Sequence, residues 1–119
     1  MQDERRYMPA YLFIKTRITN PAQYQKYVEA VRPLAARHGS RYIVRSRPVE
    51  VLEGSPDAWG DYLLLVSEFP SADAARAFWR SSDYAAVRQL REGAGEVHVA
   101  LAEALPVHPA PSPASDRAS

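Results

Sequence analysis

The sequence predicts an α+β domain of the ferredoxin-like kind, βαββαβ, in which a four-stranded antiparallel sheet carries two helices on one face. Three observations predict it. Stretches with apolar residues at every second position alternate with stretches that carry helix caps, in the order strand, helix, strand, strand, helix, strand. The third strand is apolar on both faces through its middle, which places it inside a sheet. The 119 residues, 46% of them hydrophobic, suffice for one domain that buries roughly two thirds of its unfolded surface. Residues 10–105 form that domain. The polar segment 1–9 reads as flexible, and the tail 106–119, with four prolines and little to join a core, reads as disordered and dispensable for stability.

In "YLFIKTRI", residues 11–18, Leu12, Ile14, Thr16 and Ile18 alternate with Tyr11, Phe13, Lys15 and Arg17, the period of a strand. Next comes "TNPAQYQKYVEAVRPLAARHG", with Asn20 as N-cap, Pro21 at the first helical position and Gly39 just past the end. Tyr24, Tyr27, Val28, Val31, Leu34 and Ala35 form its apolar stripe, and Pro33 removes one amide, bending the helix without ending it. Residues 41–53 alternate as a long strand interrupted at Pro48, whose missing amide suits an edge or a bulge. "GSPDAWG" at 54–60 is a turn, and "DYLLLVSEF" at 61–69 is the two-sided inner strand. Ser71 caps a helix that faces Ala74, Ala75, Phe78 and Trp79 inward, and Ser81 or Ser82 starts a further helical stretch carrying Tyr84, Val87 and Arg91. "GAG" at 93–95 breaks it, and "EVHVALAE" at 96–103 is the last strand. With both helices on one face, Tyr11, Phe13 and the third strand leave an apolar patch on the other, and a second subunit is the economical cover.

The stretches "YLFIKTRITNPAQYQKY", "HGSRYIVRSRPVEVLEG", "LLLVSEFPSADAARAFWRSSDYAAVRQLR" and "VALAEAL" together resemble the domain of unknown function 1330 family over residues 10–105. The telling parts are the Arg-Tyr-x-Val-Arg strand followed by Val-Leu-Glu-Gly, and Glu-Phe-Pro-Ser ahead of a helix bearing Phe78 and Trp79. Ser40, Ser46 and Arg47 depart from the pattern, since glycines are common there in the family. The resemblance implies a dimeric α+β barrel, in which two ferredoxin-like sheets pack face to face and each subunit keeps a small cleft between sheet and helices. Relatives on that scaffold include cofactorless monooxygenases, isomerases and haem proteins, so the fold does not select a chemistry. It also implies that the last strand extends toward the partner's edge near residues 41–47, removing an exposed edge.

Several classes are excluded by what the sequence lacks. A net charge of +1 gives no footprint for nucleic acid or an anionic membrane. The absence of cysteine removes disulfides and thiolate chemistry and fits a cytoplasmic location. The longest apolar run, "YLLLV", is far below the ~20 residues that span a bilayer. Thirteen arginines against two lysines point to a GC-rich, bacterial source. His38, His98 and His108 lack the spacing of a zinc site, "GAG" runs from helix to strand where a dinucleotide fingerprint needs the reverse, and no G-x-S-x-G occurs. An RNA-recognition module shares this topology but needs aromatics where Leu63, Leu64 and Leu65 stand. No cofactor and no metal are expected.

The candidate ligand-binding residues are His38, Arg45, Trp79, Tyr84 and Arg91. His38, in the last helical turn, either complements the helix dipole, the favoured reading, or carries protons at the cleft mouth. Arg91 shares a face with Tyr84, Val87 and Arg88, so it either covers apolar surface or meets a ligand. Trp79 and Phe78 read as core, and Trp59 as packing on its own loop or on the partner. Of the three arginines on alternate positions, Arg41 and Arg47 are expected to reach water, while Arg45 is held in the protein, paired with Glu68 or lining the cleft or dimer surface. The leading function is a homodimer that binds a small, partly apolar, anionic molecule in the cleft. The alternatives are a cofactorless monooxygenase or isomerase acting on an aromatic substrate against Trp79, with His38 or Arg91 nearby, and a structural dimer without ligand.

Overall fold

The computed structural model of the chain describes residues 8–106, so nearly all of the N-terminal segment 1–9 and of the tail 106–119, His108 included, lies outside the described residues. Strand β1 spans Ala10–Ile18, helix α1 Pro21–Arg37, β2 Arg41–Arg45, a single helical turn α2 Pro56–Trp59, β3 Leu63–Phe69, α3 Ala72–Arg80, α4 Ser82–Arg88 with a 3-10 turn Gln89–Arg91, and β4 Gly95–Glu103. The sheet order is β2-β3-β1-β4 and every pair is antiparallel, which is the ferredoxin-like arrangement.

Local chemistry sets the boundaries. The Asn20 side chain accepts from the Gln23 amide ahead of Pro21, and α1 runs unbroken through Pro33. It stops where Gly39 takes φ +88°, a region other residues avoid, and a Cβ at Gly39 would also lie 2.8 Å from Pro70 Cδ. Ser71 caps α3 and Ser81 caps α4 through their hydroxyls. Gly95 is required by contact: with φ +150°, a Cβ there would lie 2.3 Å from the Arg17 carbonyl oxygen, so β4 could not close on β1. At the other end of this pair, the Ala104 amide donates to the Pro9 carbonyl at 2.8 Å, so the two ends of the domain lie side by side.

The core lies between sheet and helices. Leu12 and Phe69 from the sheet meet Val31, Leu34 and Ala35 of α1, Ala75 and Phe78 of α3, and Tyr84 of α4, all buried. Truncating a buried phenylalanine such as Phe78 to alanine typically costs about 3–5 kcal/mol, because part of the cavity remains. The odd-numbered residues Tyr11, Phe13, Lys15 and Arg17 point to the opposite, open face.

The second strand differs from the sequence expectation. It ends at Arg45, not at residue 53, and its irregularity falls between Tyr42 and Val44, ahead of Pro48. Beyond Arg45 the ladder continues in another form: the Ser46 amide donates to the Leu64 carbonyl at 2.9 Å, and the Ser46 hydroxyl accepts from the Leu64 amide at 2.9 Å in place of a strand carbonyl. Residues 54–60 hold the single turn α2, capped by Ser55, and β3 starts at Leu63 after Asp61 with φ 65°. β3 does lie inside the sheet, between β2 and β1.

Candidate functional site

A cavity of about 500 Å³ opens between the helix-facing side of the sheet and α1, α3 and α4. That volume lies within the ~300–1,000 Å³ range of small-molecule sites. Leu12, Ile14, Leu65 and Val99 form its floor, because alternation along β1, β3 and β4 turns these residues to the helices. Tyr24, Tyr27, Val28 and Val31 come from the α1 stripe, and Phe78, Trp79 and Tyr84 close one end. Arg32, Tyr42, Arg45 and Ser46 also line it and bring polar groups to its rim.

The aromatic end is continuous. Tyr24 and Tyr27 ring centroids are 5.3 Å apart, Tyr84 lies 4.8 Å from both Phe78 and Trp79, and Tyr27 meets Tyr84 edge-on at 6.4 Å. The Tyr27 and Tyr84 hydroxyls are 2.9 Å apart. Behind them Arg91 donates from Nη2 to the Tyr84 hydroxyl at 3.4 Å and places its guanidinium 5.3 Å from the Tyr27 ring centroid. Arg91 Nε is buried with no hydrogen-bond partner among the described residues. Burial pushes the phenols of Tyr24, Tyr42 and, most strongly, Tyr27 above their ordinary value, with the neighbouring Tyr84 hydroxyl adding to the effect at Tyr27. These phenols therefore stay protonated near neutral pH. Burial works against the Arg91 charge, but its contacts with Tyr84 and Tyr27 outweigh that and hold it protonated.

Of the five residues singled out in the sequence, Trp79 and Tyr84 are cavity wall, Arg45 lines the mouth, and Arg91 stands behind the wall against Tyr84. His38 is not among the residues that line the cavity. It caps α1, its Nδ1 lies 3.1 Å from the Leu34 carbonyl, and its ring packs edge-on against Phe78 at 5.6 Å. The helix-end role is the one its position supports. The expected Arg45–Glu68 pair does not form. Glu68 is held by Arg41, Nε to Oε1 at 2.6 Å, and by the Tyr11 hydroxyl at 3.1 Å. The cause is register: Arg41 stands opposite Glu68, while Arg45 stands opposite Leu65, too far along β3 to reach that carboxylate, and the extra residue Ile43 then turns Arg45 to the helix side. Tyr24, Tyr27, Tyr42 and Arg32 were not foreseen as site residues. The available signal was a helix stripe that spends two positions on tyrosine where leucine would pack as well.

The open face is built differently. Lys15 donates to the Ala58 carbonyl and places Nζ 4.9 Å from the Trp59 ring centroid and 4.7 Å from that of Tyr62. Arg17 stacks 4.2 Å from the Tyr62 centroid and pairs with Glu96 at 2.8 Å. The Trp59 ring lies against Lys15 and remains partly exposed, as do Phe13 and Val44. Among the described residues no three His, Asp or Glu side chains gather to hold a metal, and no helix is long and apolar enough to cross a membrane.

Comparison with known proteins places these features in context. Residues 9–105 match the family described as Domain of unknown function (DUF1330). No curated protein matches the chain. Among solved structures, the RPA0582 protein of unknown function from Rhodopseudomonas palustris is similar at 19% identity and TM-score 0.70, covering 86% of each chain. SnoaB, a cofactor-independent oxygenase from Streptomyces nogalater, is similar at 10% identity and TM-score 0.59, over 87% of this chain and 99% of its own. A dimeric ferredoxin-like protein of unknown function from Thermobifida fusca aligns at 16% identity and TM-score 0.53, over 79% of this chain and 89% of its own. At such identities the likeness is one of fold.

Proposed function

The chain belongs to the DUF1330 family, and from that premise we propose that it is a homodimeric binder of a small molecule with a flat apolar body and an anionic or carbonyl oxygen. The observation that carries this reading is the character of the cavity. Its floor and end wall are aliphatic and aromatic, while its ionisable groups are phenols and guanidiniums, which at neutral pH offer donors and positive charge. Such a lining favours an apolar ring system carrying an acceptor. Homodimerisation is supported by the apolar remainder of the open sheet face and by the dimeric state named for the Thermobifida relative. In that arrangement β4 would extend toward the partner's β2 edge.

The test is titration with 2-naphthoate, read by quenching of the Trp79 indole on the cavity wall. Saturable quenching at one molecule per subunit, weakened several-fold in Arg32→Ala/Arg45→Ala, is the expected result. No saturable binding up to millimolar probe would overturn the reading and favour a structural dimer.

A second reading, cofactor-independent oxygen chemistry on an aromatic substrate, draws support from the likeness in fold to SnoaB and from the Trp79–Tyr84 wall. Phenols held protonated are poor proton acceptors, which ranks this reading below binding. Oxygen uptake that requires Trp79 or Tyr27 would reverse the ranking.

A further inference from the structure

The hydroxyl pair at the closed end of the cavity has a direction. A guanidinium can only donate, so the Arg91–Tyr84 contact fixes the Tyr84 oxygen as acceptor. Tyr84 is 1% exposed, and the hydroxyl within reach of its own proton is that of Tyr27, at 2.9 Å. With Tyr84 as the donor of this pair, Tyr27 accepts and turns its own proton elsewhere, and its side chain lines the cavity. Each donor in such a chain polarises the next, strengthening the last. A second observation points the same way: among the described residues no carboxylate pairs with Arg91, and its Nε has no partner. Its positive charge is therefore not cancelled behind the wall and adds to the potential at Tyr27.

We infer that Tyr27 is the oxygen-recognising donor of the cavity, its proton aimed inward by Arg91 and Tyr84 to meet a carbonyl or carboxylate oxygen on a flat apolar molecule. This rests on the reading of the cavity as a binding site and deepens it by naming the group recognised and the residue that recognises it. Tyr84 and Arg91 are positioning residues that act through Tyr27.

Two probes of nearly equal shape separate this inference from the reading beneath it: 2-acetonaphthone, which carries a carbonyl, and 2-ethylnaphthalene, which does not. Wild-type protein should bind the ketone roughly five- to tenfold more tightly, the worth of one net hydrogen bond. Tyr27→Phe should erase the preference by weakening the ketone more than 2-ethylnaphthalene, and Tyr84→Phe should reduce it. The carbonyl stretch of bound 2-acetonaphthone should lie at lower frequency in the wild type than in Tyr27→Phe, a difference that a packing role would not produce. If neither probe binds, the cavity reading falls and this inference with it. If both bind equally well, or if Tyr27→Phe keeps the preference, only the donor assignment is overturned. Should Tyr27→Phe not fold, as judged by circular dichroism, Tyr84→Phe decides: an undiminished preference and an unmoved carbonyl stretch overturn the assignment.

Discussion

The two faces of the sheet handle charge in opposite ways. On the open face each central charge is met where it stands: Arg17 by Glu96, Glu68 by Arg41 and Tyr11, Lys15 by a carbonyl and two aromatic rings. What remains uncovered there is apolar, with Phe13 and Val44 about two fifths exposed. On the helix side Arg32, Arg45 and Arg91 have no carboxylate partner among the described residues, and the phenols beside them stay protonated. A face with its charges settled suits a flat apolar partner such as a second copy. A layer with donors and cations left over suits a ligand that brings the missing acceptor.

The largest effect is expected from Phe13→Glu. It places a carboxylate in the middle of the open face and should weaken dimerisation by more than about tenfold, since a charge buried without a partner is costly. Light scattering at micromolar concentration should shift from twice the chain mass toward one. Naphthoate binding should survive, and its loss would show that the two faces are not independent, breaking the comparison.

Alkaline pH probes the helix side. Tyr24, Tyr27 and Tyr42 have folded values above the 10.0 of an unfolded tyrosine. The stabilisation they contribute is fully present below pH 10 and is lost as pH rises beyond it, because the unfolded chain then releases protons that the folded one keeps. For Tyr27 the slope is at most ~1.4 kcal/mol per pH unit, and for the half-exposed Tyr42 much less. Urea unfolding between pH 8 and pH 11.5 should show the decline, and Tyr27→Phe should make it shallower. An identical slope in Tyr27→Phe would mean that this phenol is not held protonated.

The smallest effects distinguish the arginines of β2. Glu68→Gln removes a nearly buried carboxylate from Arg41, whose side chain is 73% exposed and can be rehydrated, so a loss of about 1 kcal/mol is expected in urea unfolding. Arg45→Ala should stay within about half a kcal/mol of the parent while weakening naphthoate binding a few-fold. If Arg45→Ala proved the more destabilising of the two, the face assignment made through the bulge would be wrong.

Most of the fold was legible in the sequence because it is written in local signals: the period of two in β1, Asn20 and Pro21 ahead of α1, Gly39 after it, Ser71 and Ser81 before α3 and α4. The bulge was not. Nothing in "RYIVR" marks Ile43 as the extra residue, since a bulge exists only in the pairing of two strands. The face that Arg45 takes follows from that single residue, and the misplaced Arg45–Glu68 pair from the register that sets Arg41 opposite Glu68. For the site, Trp79 and Tyr84 could be named because large aromatics beside arginine attract notice. Tyr24 and Tyr27 were read only as apolar stripe, since a tyrosine in a helix pattern declares its ring and not its hydroxyl.

The hydrogen bond from Ala104 to Pro9 has a topological consequence. A folded segment whose two ends meet in space, as Pro9 and Ala104 do, is a loop that has been cut at one point, and the cut can be moved. Joining Pro9 to Ala104 by a short linker and opening the chain between Leu52 and Ser55, where Leu52 is 88% exposed and a Cβ at Gly54 would touch nothing within 4 Å, gives a circular permutant. All three strand pairings and every cavity residue would be retained. The permutant would begin with α2 and β3, and β1 and β4, now paired across the 92 residues that lie between their far ends at Ala10 and Glu103, would become the two arms of a linked hairpin.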